Sequence, residues 1–373
     1  MSFIGDHRST LNTPVTDRPF RTAAPRRGQN QMTNVIERSF LNNHQTGANM
    51  FNKNTLTLIP FAFLILWSSE STQAQDKLVN RLNNPIEVGL VNWNRDLDAA
   101  LAQSKSTGKP ALVLFQEVPG CSGCQKFGRE VLSHPLIVEA IEDEFIPVVV
   151  LNNRSSGTDK QLLDRFGERA WNYQVIRFLD GHGSDIVERK ERVWSVGAVA
   201  YRMIQTLKKR NRPIPKYLQT LVAINDQTSH ETAAFAMHCF WTGEYRLGGI
   251  DGVVATEAGW LDGREVTLVK YNKNAINIES LASQAAQVRC ADKIYTPGGG
   301  SLAGLKGGKL DRSYRTASPS DQKRQLSRIP QIAKFPGINA MQLTKVNSSA
   351  PDDQQRAMSW LSPRQRQLLQ SSP

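Results

Sequence analysis

The sequence predicts an α/β chain in two unequal domains, a helix-flanked sheet followed by a small α+β unit, and three observations carry that reading. Residues 111–115 (ALVLF) and 145–151 (FIPVVVL) are almost wholly apolar runs of strand length, as in strands covered on both faces. Segments with apolar residues at helical spacing alternate with them. A third apolar run, residues 232–237 (TAAFAM), lies beyond a basic, proline-containing joint at residues 210–216 and opens the second unit.

In chain order, residues 93–104 place Leu97, Ala100 and Leu101 on one helical face, and Gly108 and Pro110 end that helix. The strand at 111–115 follows. Pro119 and Gly120 turn the chain, and Cys121-Ser122-Gly123-Cys124 opens a helix whose apolar residues are Phe127, Val131 and Leu132. After His134-Pro135 a second helix runs to about residue 144 and the strand at 145–151 follows. Residues 171–180 and 185–189 flank Gly181-His182-Gly183 as a hairpin, and residues 195–209 read as a closing amphipathic helix. Lys160, Asp164 and Glu168 are expected on a solvated helix face. Trp171 and Trp194 are expected in the core, and His134 and His182 at the surface.

The paired cysteines carry the chemistry. Free backbone N–H groups and the positive end of the helix dipole stabilise a thiolate in the first turn of a helix, which lowers its pKa below the free value of about 8.5. Cys121 at the helix mouth is the nucleophile on this reading. Cys124, one turn on and on the same side, is placed to attack a mixed disulfide formed at Cys121. A static disulfide and half of a zinc site are the competing readings. Zinc is the weaker, because no second C-x-x-C or C-x-x-H pair follows at finger spacing. No metal or cofactor is expected.

A formal charge of +12 and 39% hydrophobic residues bound the remaining function classes. The basic excess falls in residues 1–49 and after Lys306, without the interleaved aromatic and basic residues of a nucleic-acid reader, so no nucleic-acid partner is expected. Residues 1–49 read as disorder or an over-extended gene start. From Met50, the basic Lys53, the apolar stretch 56–67 and the small residues around Ala74 read as a signal peptide over residues 50–74. The apolar stretch is shorter than the ~20 residues of a spanning helix, so no stable membrane span is expected after cleavage. The expected location is periplasmic or secreted, where disulfide chemistry is at home.

With the order helix, strand, C-x-x-C helix, strand, hairpin, helix, and the segment Val118-Pro119-Gly120-Cys121-Ser122-Gly123-Cys124, residues 90–210 resemble the thioredoxin-like superfamily. The resemblance is to exported members, some with selenocysteine at the position of Cys121. It implies a thiol-disulfide oxidoreductase whose partners are protein thiols or disulfides and an external reductant or oxidant. One departure is that Tyr173-Gln174-Val175 stands where such proteins have a cis-proline before the hairpin.

In the second unit the plan of strand, cysteine and helix start recurs at Cys239. Cys239-Phe240-Trp241-x-x-Glu244, followed by Gly252-Val253, Thr256, Gly259 and Gly263, resembles peptide-methionine sulfoxide reductase of the A type over residues 230–285. His238 and Trp260 stand where that family has glycine and tyrosine. The resemblance implies Cys239 as nucleophile, Glu244 as acid, Phe240 and Trp241 as the methyl pocket, and methionine sulfoxide-containing proteins as substrates. Cys290, at the end of a helix over 278–289, either resolves an oxidised Cys239 or pairs with it structurally; both readings stay open.

The expected organisation is thus a thioredoxin-like domain at 75–225, a sulfoxide-reductase-like domain at 226–297, and a Gly-rich linker with a helical extension, without chemistry, at 298–373. Three functions follow: thiol-disulfide exchange at Cys121 and Cys124 that can also recycle Cys239, sulfoxide reduction with the first domain as electron donor, or an envelope protein held by two structural disulfides.

Overall fold

A computed structural model describes residues 83–171 and 174–371. The stretches expected as a leader (1–49) and a signal peptide (50–74), and Tyr173, lie outside the described residues. Among the described residues, no helix is long and apolar enough to cross a membrane.

The first domain begins with a 3-10 turn at Ile86–Val88. It continues as α1 (Leu97–Thr107), β1 (Ala111–Gln116), α2 (Ser122–Glu130), α3 (Pro135–Glu144), β2 (Ile146–Leu151) and α4 (Gly157–Phe166). β3 (Val175–Leu179), β4 (Asp185–Glu191), α5 (Val196–Lys209) and α6 (Lys216–Asn225) complete it. Asp96 caps α1 by accepting a hydrogen bond from Ala99 N, and Gly108 ends the helix in the left-handed region at φ 71°. The sheet order is β2-β1-β3-β4, with β1 parallel to β2 and antiparallel to β3.

Alternation along β1 divides the core. Ala111, Val113 and Phe115 face α1 and α4, while Leu112 and Leu114 face Phe127 of α2 and the apolar sides of α3, α5 and α6. All six β1 residues are buried, which is why the strand reads as a continuous apolar run. Helix α2, which carries the cysteines, sits tightly on the 3-10 turn. A Cβ at Gly128 would come within 1.8 Å of the Ile86 carbonyl oxygen, so only glycine fits there.

Two expectations for this domain are corrected. Glu168, read as part of a solvated face, is buried at the centre of an ion-pair network: its Oε1 accepts from Arg177 Nε at 2.9 Å and Arg189 Nε at 2.8 Å. Arg177 also pairs with Asp185, and Arg189 with Glu191. The residue lies past the end of α4, where helical spacing no longer says which way a side chain points. Trp171, expected in the core, is 69% exposed at φ 59°, and Trp194 lies at the surface with an edge on Phe127, ring centroids 5.7 Å apart.

The second unit runs β5 (His230–Ala236), α7 (Phe240–Gly248), β6 (Val253–Leu261), β7 (Arg264–Asn272), α8 (Ile278–Gln287), β8 (Lys293–Thr296), β9 (Lys306–Lys309) and β10 (Arg315–Thr316). These strands form a mixed sheet in the order β10-β6-β7-β5-β8-β9. The Gly-rich stretch, expected as a linker, instead supplies the edge strand β9, parallel to β8. Its glycines allow the approach: a Cβ at Gly308 would lie 2.6 Å from the Tyr295 ring.

The C-terminal segment holds α9 (Ala340–Asn347), α10 (Gln354–Met358) and α11 (Pro363–Ser371). It bridges a helix of the first domain and a helix of the second. Arg364 Nη2 pairs with Glu142 of α3 at 2.7 Å, and its backbone N donates to the buried Glu139. Lys345 of α9, which burial pushes down to about 8, donates to the carbonyls of Gly248 and Ile250 at the end of α7.

Candidate functional site

Cys121 and Cys124 come together at the start of α2. Cys121 is the N-cap in extended conformation and accepts, through its carbonyl, the first helical hydrogen bond from Gln125 N. It is exposed, Cys124 is buried, and their Sγ atoms are 3.3 Å apart without a bond. Hydrogen bonds from Cys124, with a smaller one from the Gly123 backbone, lower the Cys121 thiol below its ordinary value. Burial first, and then the sulfur beside it, pushes Cys124 up to about 12. The exposed sulfur therefore ionises ahead of the buried one.

The loop before the thiols is fastened from two sides. Glu87, buried in the 3-10 turn, accepts from Gly120 N through Oε1 at 2.9 Å. From beyond β2, Asn153 Nδ2 donates to the Pro119 carbonyl at 3.1 Å and Arg154 Nη2 to the Val118 carbonyl at 3.2 Å. The Val118–Pro119 peptide is cis. The loop folds Glu117 back so that its Oε2 lies 3.9 Å from Cys124 Sγ. Glu87, Glu117 and Asn153 went unnoticed in sequence. Glu117, four residues before Cys121 at the end of an apolar strand, offered the one local signal.

One consequence is measurable. With a chelator present, iodoacetamide is expected to modify Cys121 with a pH midpoint below that of free cysteine. Cys124 stays protonated up to about pH 12 and reacts slowly across that range. Equal rates at the two thiols, with the ordinary midpoint, would contradict the assignment.

In the second unit, Cys239 is the half-buried N-cap of α7. Phe240 packs with Trp241, centroids 6.1 Å apart, and edge-on against the exposed Trp260 at 5.6 Å. Arg324 lies over the Trp241 ring at 5.1 Å. Glu244 is fully buried and its carboxylate is occupied: Oε1 pairs with Lys323 Nζ at 2.5 Å and Oε2 accepts from Lys323 N at 2.6 Å. Thr256 Oγ1 donates to it at 3.3 Å. The carboxylate at the mouth of α7 belongs instead to Glu265, whose Oε2 accepts from Phe240 N at 2.8 Å. It arrives from β7 through sheet register, which short-range spacing does not reveal. Cys290 is buried, with Sγ 3.8 Å from the Thr242 carbonyl and its thiol pushed up by burial. It is not bridged to Cys239. Lys323 and Arg324 belong to the C-terminal segment, so that segment contributes polar contacts to this site as well as packing.

A thioredoxin-like family model matches residues 92–181, the stretch that contains both thiols of the first site. Among solved structures, a chain described as "DsbH Oxidoreductase" is 17% identical, with a TM-score of 0.27, over 35% of this chain and 90% of its own. No curated protein matches the chain. Taken with the sheet order and the helices on both faces, the match at residues 92–181 identifies the first part of this mixed α/β chain as a thioredoxin-like domain.

Proposed function

We propose that the protein is an exported thiol-disulfide oxidoreductase working through Cys121 and Cys124. The observation that carries this reading is the pair itself: two free sulfurs 3.3 Å apart, one exposed at a helix N-terminus and one buried behind it. The Cys121 thiolate attacks a substrate disulfide, whose S–S bond breaks as a mixed disulfide forms and one substrate thiolate leaves. Cys124 then gives its proton to Glu117, attacks the Cys121 sulfur and releases the second substrate thiolate. Two electrons pass from the protein dithiol to the substrate, and the reverse sequence oxidises a dithiol. An external reductant or oxidant resets the pair.

The test is reduction of a protein disulfide by the full chain in the presence of dithiothreitol and a chelator, followed by redox titration against glutathione. Catalysed reduction with a two-electron transition assigned to Cys121 and Cys124 supports the reading. The uncatalysed rate alone would end it.

A second activity is favoured by the surroundings of Cys239. A sulfur at a helix mouth beside Phe240, Trp241 and Trp260, with Glu265 as the carboxylate at the same mouth, suits reduction of methionine sulfoxide, with the first domain as electron donor. Tethering both sites in one chain supports recycling at an effective concentration of about mM. Turnover of a methionine sulfoxide peptide is expected to vanish in Cys239→Ser; equal turnover would leave this unit without catalysis.

A further inference from the structure

We propose that the reduced Cys121–Cys124 pair, together with Glu117, is a three-ligand site for a thiophilic divalent cation, with zinc as the representative ion. The inference goes beyond the oxidoreductase reading and uses the same dithiol. One ligand atom from each of the three residues lies within 4.8 Å of the others. The sulfurs are 3.3 Å apart and the Glu117 oxygen lies 3.9 Å from Cys124 Sγ. With Zn–S near 2.3 Å and Zn–O near 2.1 Å, a tetrahedral ion needs S···S of about 3.8 Å and S···O of about 3.6 Å. The two sulfurs part by about half an ångström and the Glu117 oxygen moves about 0.3 Å toward Cys124, while its separation from Cys121 Sγ, within 4.8 Å, closes by up to about 1.2 Å through side-chain rotation.

Two further observations point the same way. Among the described residues no lysine or arginine pairs with Glu117, so its carboxylate faces the thiols without a neutralising cation. The backbone between Glu117 and Cys121 is fixed by Glu87, Asn153 and Arg154, so the ligands are held in place before the ion arrives. The exposed position of Cys121 leaves the fourth coordination site to water.

Binding displaces the thiol protons to solvent and moves no electrons. Because both sulfurs must be thiolates, the ion and the disulfide exclude each other, and zinc holds the couple reduced.

The test uses the full chain, reduced, stripped with a chelator and titrated with zinc chloride alone. Zinc is followed by competition with a chromophoric chelator and by protection of Cys121 from iodoacetamide. One equivalent is expected to bind and to protect Cys121, and Cys239→Ser is expected to bind alike. The disulfide form is expected to bind none at this site. Loss of outer-shell partners alone weakens metal sites 10–100-fold, so Glu117→Gln is expected to weaken zinc by at least about tenfold. Reduced wild type that binds no zinc, or Glu117→Gln that binds as tightly as wild type, would overturn the proposal. Disulfide reduction, measured with chelator present, reports on the oxidoreductase reading independently, so failure of one is distinguishable from failure of the other.

Discussion

A Cys121→Ser variant is expected to lose catalysed disulfide reduction by roughly three orders of magnitude or more, as removal of a nucleophile does elsewhere. The reason lies in the division of labour at the mouth of α2. Hydrogen bonds of the first turn favour the anion of the exposed sulfur and lower its pKa, whereas Cys124 is buried and keeps its proton up to about pH 12. Serine at 121 leaves the fold intact, because the side chain is exposed and makes no N-cap hydrogen bond. It removes the exposed sulfur of the pair, the one a substrate disulfide meets first. A variant with half of the wild-type rate would mean that another thiol attacks, with Cys239 the candidate. Measuring Cys121→Ser and Cys239→Ser side by side separates the two.

The largest effect on stability is expected at Glu168. Its carboxylate accepts from Arg177 and Arg189 at 2.8–2.9 Å while its own side chain is almost fully enclosed. Glu168→Gln keeps the shape and removes the charge, leaving two guanidinium groups without their shared anion. Breaking a buried pair from one side costs 3–5 kcal/mol, and since Arg189 is 32% exposed and water takes up part of the loss, about 3 kcal/mol is expected. Urea unfolding checks it, and Arg189→Gln in the same background is expected to recover part of the loss. A change below about 0.5 kcal/mol would show that solvent already screens the network.

Much of the first domain was legible because its strands are short and covered on both sides. Residues 111–115 and 145–151 could hardly be anything but buried strands, and the paired cysteines marked the start of α2. Legibility ended where position depends on register or on loops meeting from afar. Glu117 meets Cys124 because the loop folds back under Glu87 and Asn153, and Glu265 reaches the mouth of α7 because β7 pairs with β5. Composition misled in two places. Glycine at 307 and 308 resembled a linker but permits the edge strand β9, and charge at Glu168 resembled a solvated face but closes a buried network. Trp171 and Trp194, expected in the core, both lie at the surface, since nothing local distinguishes an exposed tryptophan from an enclosed one.

The central claim is that attack begins at Cys121 and is resolved by Cys124. Trapping tests it most directly: Cys124→Ser and Cys121→Ser are each reduced, freed of metal and mixed with a protein disulfide, and the adducts are mapped by mass spectrometry. Cys124→Ser is predicted to accumulate a mixed disulfide through Cys121, while Cys121→Ser accumulates none through Cys124. Adducts through Cys124, or no adduct in either variant, would contradict the account.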